Sequence, residues 1–223
     1  MKKNLAAQAF VKFFSGLIFC ALMIFLPAGS LSFYNGWLFL ALLFIPMFLA
    51  GLIMLCKNPE LLRKRLQAKE EQGAQKTVII LSGLMFIGGF ILCGLNYRFS
   101  WLILPDWLVI TASVIFLISY CLYAEVLREN AYLSRTVEIQ ENQRVVDTGL
   151  YSLVRHPMYA VTVLLFLSMP LILGSIQAFI LFLLYPLLLI KRIKNEELLL
   201  SSQLEGYKEY MLKVKDRLIP FVW

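Results

Sequence analysis

The chain has 223 residues, of which 60% are hydrophobic and only 16% are charged. Soluble domains have about 45–50% apolar and about 25% charged residues, so this composition excludes an ordinary soluble domain. The formal net charge of +7 could suit nucleic acid, but the cations flank apolar runs, and no nucleic-acid partner is expected.

Five apolar runs follow one another along the chain. Four of them are long enough to cross a bilayer, which takes about 20 residues: 13–33, 37–56, 77–97 and 107–124. The fifth, 158–190, would be about 50 Å long as one helix, against a hydrocarbon core of about 30 Å. Pro170 and Gly174 lie near its middle, which favours two short helices, about 158–173 and 175–190, joined by a tight turn. One long kinked helix is the alternative.

The predicted fold is therefore an all-α integral membrane protein with about six transmembrane helices, including a C-terminal helical hairpin. With the N-terminus inside, the inner segments are 1–12, 57–76, 125–157 and 191–223, and they contain 20 of the 21 Lys and Arg residues. This distribution follows the positive-inside rule and predicts that both termini are cytoplasmic. We expect a multi-pass protein of the cell membrane, with basic inner segments that contact membrane lipids.

We expect a single membrane domain over residues 1–223. Its first part, 1–124, contains four spans and the basic inner loop 57–76, in which residues 57–73 are predicted to form a surface helix capped by Asn58. Its second part, 125–223, contains a polar loop, the hairpin and a C-terminal segment. The loop includes strand-like residues at 135–140 and 143–146, and polar loops of this length are usually functional.

The predicted hairpin brings polar residues from both of its ends to one membrane face. Arg192 and Glu196 are four residues apart and share a helix face. The start of the hairpin would offer free backbone N–H groups and a partial positive charge, beside Arg155, His156 and Tyr159. Together these groups suit a ligand with a carboxylate and an ammonium group, next to a lipidic second substrate.

Each of these residues also has a purely structural interpretation. Arg155 and Arg192 could extend to the membrane interface, Arg192 could form an ion pair with Glu196, and His156 could cap the helix that follows it. The functional interpretation depends on their convergence.

The stretch "VVDTGLYSLVRHPMY", followed by "KRIKNEELLL" and "YKEY", resembles the isoprenylcysteine carboxyl methyltransferase family and the related phospholipid N-methyltransferases. The resemblance covers roughly residues 125–220. The sequence departs from the family pattern at Ala160, where glycine is common, and at "LEGYKEY", which is one residue shorter.

The resemblance implies methyl transfer from S-adenosylmethionine, bound without a Rossmann domain and without a metal site. The catalytic residues would be Arg192, which would face the acceptor, and His156. The implied cofactor-binding residues are Gln143, Arg144, Val145, Val146, Tyr151, His156, Pro157, Met158, Tyr159 and Glu196.

The acceptor is expected to be lipophilic, but the sequence does not decide between a carboxylate and an amine. Nothing in it identifies a prenyl group or an oligomeric state. The alternative functions are an NADPH-dependent membrane reductase of the sterol-reductase type and a non-enzymatic scaffold or transporter. A transporter usually buries polar groups at mid-bilayer, and the predicted spans contain no charged ones.

Overall fold

The computed structural model describes residues 2–66, 73–130, 132 and 143–223. These residues form helices and irregular segments without a β-strand, which confirms the predicted all-α class. Residues 143–146 are irregular, and residues 135–140 lie outside the described part of the chain. The α-helices are α1 (Lys2–Ala28), α2 (Tyr34–Lys57), α3 (Pro59–Leu66), α4 (Gly73–Phe99), α5 (Asp106–Glu129), α6 (Pro157–Ile172), α7 (Ile176–Phe182), α8 (Tyr185–Gln203) and α9 (Tyr207–Lys213).

Five helical stretches in the described residues are long and apolar enough to cross a membrane: Asn4–Ala28, Tyr34–Lys57, Lys76–Phe99, Asp106–Glu129 and Ile176–Gln203. Only 11% to 33% of each apolar window is buried inside the protein, so most of these side chains are at least partly exposed at the surface, where lipid would cover them. Helix α6 is also apolar, but its 16 residues span only about 24 Å. The six predicted spans are thus five long helical stretches and one short helix.

The C-terminal run forms the predicted hairpin. The chain reverses at Gly174, whose φ of +76° is in the left-handed region that favours glycine. The rings of Phe166 in α6 and Tyr185 in α8 are 4.8 Å apart, and farther from the turn Arg192 of α8 contacts Tyr159 of α6, so the two arms run antiparallel. The second arm extends further than predicted, because α8 continues α7 after a short break and ends only at Gln203.

Helix packing against α4 depends on two of its glycines. A Cβ atom at Gly94 would lie 2.5 Å from the Ile24 carbonyl oxygen of α1, and a Cβ atom at Gly89 would overlap the ring of Phe182 in α7. Gly88 is less crowded, and a Cβ atom at Gly83 would have no atom of the described residues within 4 Å. Close packing therefore explains the first two positions and does not require glycine at Gly83.

The predicted surface helix after the second span is α3. Asn58 Oδ1 accepts a hydrogen bond from the Leu61 N–H at 3.1 Å, as expected of a helix cap. Leu62 is buried, and Arg65 donates to the Tyr123 hydroxyl of α5 at 2.7 Å. Residues 67–72 of the predicted helix lie outside the described part of the chain.

Candidate functional site

The N-terminal end of α6 is held by the C-terminal segment of the chain. The backbone N–H groups of Arg155 and His156 donate to the carbonyl oxygens of Asp216 and Arg217, each at 2.9 Å. One Arg155 guanidinium nitrogen, Nη1, also donates to the carbonyl oxygens of Val214 and Lys215. These bonds fix the position of the Arg-His pair before the first turn of α6.

The buried carboxylate of Glu197 in α8 connects these same two segments, the start of α6 and the C-terminal segment. Its Oε1 atom accepts from Arg155 Nε at 2.7 Å, and its Oε2 atom accepts from Arg217 Nε at 2.7 Å. The His156 Nε2 atom is 3.3 Å from Oε1, and because an ionised carboxylate only accepts, Nε2 carries the proton in this contact. Arg155 is therefore a buried ion-pair partner, with 6% of its surface exposed, and not an interface residue that extends to water.

A second polar group lies beside this ion pair. The Tyr159 hydroxyl donates to Glu196 Oε2 at 2.6 Å and accepts from Arg192 Nε at 2.8 Å. Tyr159 is on α6 and the other two residues are on α8, so the hairpin brings them together as predicted. The ring of Tyr159 also stacks with that of His156, with centroids 5.7 Å apart.

The helix start offers fewer free donors than the sequence suggested. His156 is the N-cap residue by position, but its side chain makes no capping bond to the described backbone. Its carbonyl oxygen accepts from the N–H groups of both Tyr159 and Ala160, and its own N–H donates to Arg217. The prediction of several free N–H groups was wrong, because the first turn of α6 and the C-terminal segment use them.

The loop before α6 reaches this site through a tight turn. Gly149 has φ +56°, and a Cβ atom there would lie 3.0 Å from the Glu129 side chain. The Thr148 hydroxyl donates to the same Glu129 carboxylate at 2.7 Å. This turn places Tyr151 in a buried position, where its hydroxyl accepts from Asn130 at 3.0 Å.

A cavity lies between the loop, the hairpin and α9, with a volume of about 840 Å³ that includes space open to solvent. Both residues proposed as catalytic line it, and so do all residues implied to bind the cofactor except Pro157, which is fully buried at the first position of α6. Their roles stay predictions, since proximity to one cavity does not establish binding. The lining residues are Asn130, Tyr132, Gln143, Arg144, Val145, Val146, Tyr151, Arg155, His156, Met158, Tyr159, Arg192, Glu196, Leu199, Leu200, Leu204, Tyr207 and Tyr210.

Sequence reasoning did not assign several of these lining residues. Leu199 and Leu200 follow the two glutamates closely, and their helical spacing could have placed them on the cavity side of α8. Tyr207 and Tyr210 belong to the "YKEY" element, where the sequence departs from the family pattern. Their position depends on Gly206, which starts α9 with φ +80° and brings the turn against Val145.

Burial controls the ionisation of the cavity tyrosines outside the spans. It raises the pKa of Tyr151, Tyr207 and Tyr210 well above the usual value for a phenol. These hydroxyls therefore keep their protons at neutral pH and can donate hydrogen bonds.

Comparison with known proteins adds one finding. The sequence profile of the isoprenylcysteine carboxyl methyltransferase (ICMT) family matches residues 107–202, which confirms the resemblance seen in the sequence. The match includes His156, Arg192 and Glu196 and ends before Tyr207. Methyltransferase activity at a membrane is what this family implies, which favours methyl transfer over reduction. No curated protein matches the chain.

Proposed function

We propose, from the premise that residues 107–202 match the ICMT family, that this protein transfers a methyl group from S-adenosylmethionine to a lipophilic acceptor at the cytoplasmic membrane face. The observation that carries the proposal is the Tyr159 hydroxyl, which joins Arg192 and Glu196 at the wall of the cavity. Tyr159 thus holds the Arg192 guanidinium and the Glu196 carboxylate side by side, and these two opposite charges would bind the two substrates.

The residues that line the cavity fit S-adenosylmethionine by their chemistry. The Glu196 carboxylate would bind the ammonium group or offset the sulfonium charge. The rings of Tyr151 and Tyr159 would contact adenine or the sulfonium, and cation–π attraction contributes about 0.5–2 kcal/mol.

When bound, S-adenosylmethionine supplies an electrophilic methyl group whose transfer breaks the carbon–sulfur bond and leaves S-adenosylhomocysteine. The protein's own contribution would be to hold the acceptor in line and to exclude water. Such positioning supplies roughly 7–11 kcal/mol of barrier reduction in well-oriented reactions. The buried Glu197 ion pair would serve this purpose by fixing His156 and the start of α6.

Arg192 would bind the acceptor. It could hold an acceptor carboxylate through two parallel hydrogen bonds, and such an acceptor needs no base. With a phospholipid amine, Arg192 would bind the phosphate, and His156 would accept the amine proton directly or through water. The position of the cavity between the start of α6 and α8 favours an acceptor that arrives sideways from the bilayer.

A transfer assay tests the proposal directly. Purified protein in nanodiscs is incubated with cell-membrane lipid extract and methyl-labelled S-adenosylmethionine. We expect label in the organic phase, and none with His156→Ala. Base-labile label identifies a methyl ester, and base-stable label identifies an N-methyl group. Label found only on water-soluble molecules, or no label at all, would contradict the proposal.

Two variants separate the proposed binding sites. Glu196→Gln should weaken binding of S-adenosylhomocysteine, measured by calorimetry, whereas Arg192→Ala should mainly impair use of the acceptor. The exposed residues Glu205 and Lys194 supply matched controls, Glu205→Gln and Lys194→Ala. If Glu196 and Arg192 are only structural, both variants should lose thermal stability and still bind the cofactor normally.

A further inference from the structure

Helix α9 brings two tyrosines to the same cavity, Tyr207 and Tyr210. They are equally buried, with 4% and 5% of their surfaces exposed, and their ring centroids are 5.7 Å apart. Both line the cavity, but neither was assigned from the sequence.

The hydroxyls of these two tyrosines differ in their partners. The Tyr210 hydroxyl donates to the Tyr151 carbonyl oxygen at 2.7 Å and so fixes α9 to the loop before α6. The Tyr207 hydroxyl is buried and has no hydrogen-bond partner among the residues that the structure describes. A buried hydroxyl without a partner destabilises a protein, so such groups are rare and call for an explanation.

We propose that the Tyr207 hydroxyl is a ligand-binding group that donates a hydrogen bond to the carboxylate of the cofactor's amino-acid part. The inference rests on the proposed function, because it assumes that S-adenosylmethionine occupies the cavity. It adds a binding residue outside residues 107–202, the part of the chain that matches the family profile.

The chemistry of the cofactor indicates which of its groups would accept this bond. Burial raises the pKa of Tyr207, and the charges of Glu197 and Glu196 raise it further, while that of Arg155 lowers it. The Tyr207 hydroxyl therefore keeps its proton at neutral pH and remains a donor. The ammonium and sulfonium groups of the cofactor are cations and cannot accept, whereas its carboxylate is its one anionic acceptor.

The test compares two ligands and two variants of the full-length protein in nanodiscs. S-adenosylhomocysteine has the amino-acid part, and 5′-methylthioadenosine lacks it but retains the adenosine and the thioether. Tyr207→Phe keeps the ring and removes only the hydroxyl. Tyr210→Phe is the matched control, since it removes a hydroxyl that has a partner within the protein.

Calorimetry should show that Tyr207→Phe weakens S-adenosylhomocysteine binding by about tenfold, as expected for a lost hydrogen bond to a charged group, and leaves 5′-methylthioadenosine binding unchanged. Without ligand, the Tm of Tyr207→Phe should equal or exceed that of the wild type. The Tm of Tyr210→Phe should fall, because that change removes an internal hydrogen bond.

Three results would overturn the inference and leave the proposed function standing. The first is wild-type affinity for S-adenosylhomocysteine in Tyr207→Phe. The second is an equal loss of affinity for both ligands, which would place the bond on the adenosine part. The third is a fall in Tm without ligand as large as that of Tyr210→Phe. A wild-type protein that binds neither ligand would overturn both the inference and the proposed function.

Discussion

Glu196 and Glu197 are neighbours in the sequence, but their carboxylates lie in different surroundings. Successive residues of a helix point about 100° apart, so the two side chains leave α8 on different faces. Glu196 lines the cavity and accepts from Tyr159, whereas Glu197 is buried between Arg155 and Arg217. We therefore expect Glu196 to act on a ligand and Glu197 to act on stability.

Glu197→Gln should destabilise the protein by about 3–5 kcal/mol, because breaking a buried ion pair leaves the buried Arg155 cation without a compensating charge. Thermal or denaturant unfolding in detergent would measure the loss. Glu196→Gln is the matched comparison at the next residue, and its loss of stability should be clearly smaller. Similar stabilities for the two variants would contradict the division of roles.

Tyr159→Phe should affect both proposed substrates, because its hydroxyl contacts Arg192 and Glu196 at once. The loss of one positioning hydrogen bond, about 1 kcal/mol, should raise the Kd for S-adenosylhomocysteine about fivefold. It should also raise the KM for the acceptor. An effect on only one of the two constants would show that the hydroxyl does not connect their sites.

At the scale of elements, the antiparallel hairpin of α6 and α8 assembles the site, and α4 supports that hairpin. The buried amide of Asn96 in α4 donates to the carbonyl oxygens of Leu102 and Gly174, and so fixes the turn of the hairpin. Helix α4 in turn approaches α1 closely at Gly94. Small residues permit such close approach between membrane helices.

Gly94→Ala should destabilise the protein by about 1–3 kcal/mol, the usual cost of overpacking, because the new methyl group would meet the backbone of Ile24 and Ala28. Gly83→Ala is the control on the same helix, since a methyl group there meets no atom of the described residues within 4 Å. It should be neutral or stabilising, because alanine favours a helix more than glycine does. Unfolding in detergent measures both, and equal effects would refute the packing explanation.

At the scale of the whole molecule, the distribution of the Lys and Arg residues along the chain predicts the orientation of the protein in the membrane. The proposed site, the basic helix α3 and α9 all belong to segments predicted to be cytoplasmic. The orientation stays a prediction, and so does the division into residues 1–124 and 125–223.

Single cysteines in a cysteine-free variant would test the orientation. Ile103 is exposed in residues 98–106, which connect the third and fourth predicted spans and are predicted to lie outside, and Lys208 is exposed on α9. The two variants are Ile103→Cys and Lys208→Cys. An impermeant maleimide should label the first in intact cells and the second only after the membrane is permeabilised. Labelling of Lys208→Cys from outside would place the site on the opposite face.

The sequence by itself determined the class of the fold, the approximate spans, the hairpin and most of the residues around the cavity. Long apolar runs indicate segments that lie in lipid. Within a bilayer the backbone polar groups must be hydrogen-bonded inside the protein, and a helix satisfies this requirement within a single segment. The residue pattern around His156, Arg192 and Glu196 was specific enough to indicate the family.

Only the tertiary structure decided what each polar group contacts. The C-terminal segment uses the N–H groups of Arg155 and His156, and Arg217 pairs with Glu197 from 20 residues away. Tyr207 and Tyr210 have the same side chain and similar burial, yet only the Tyr210 hydroxyl has a partner among the described residues. Such pairings depend on side-chain positions that are set to within a few tenths of an ångström by segments far apart in the chain. Local sequence patterns do not contain that information.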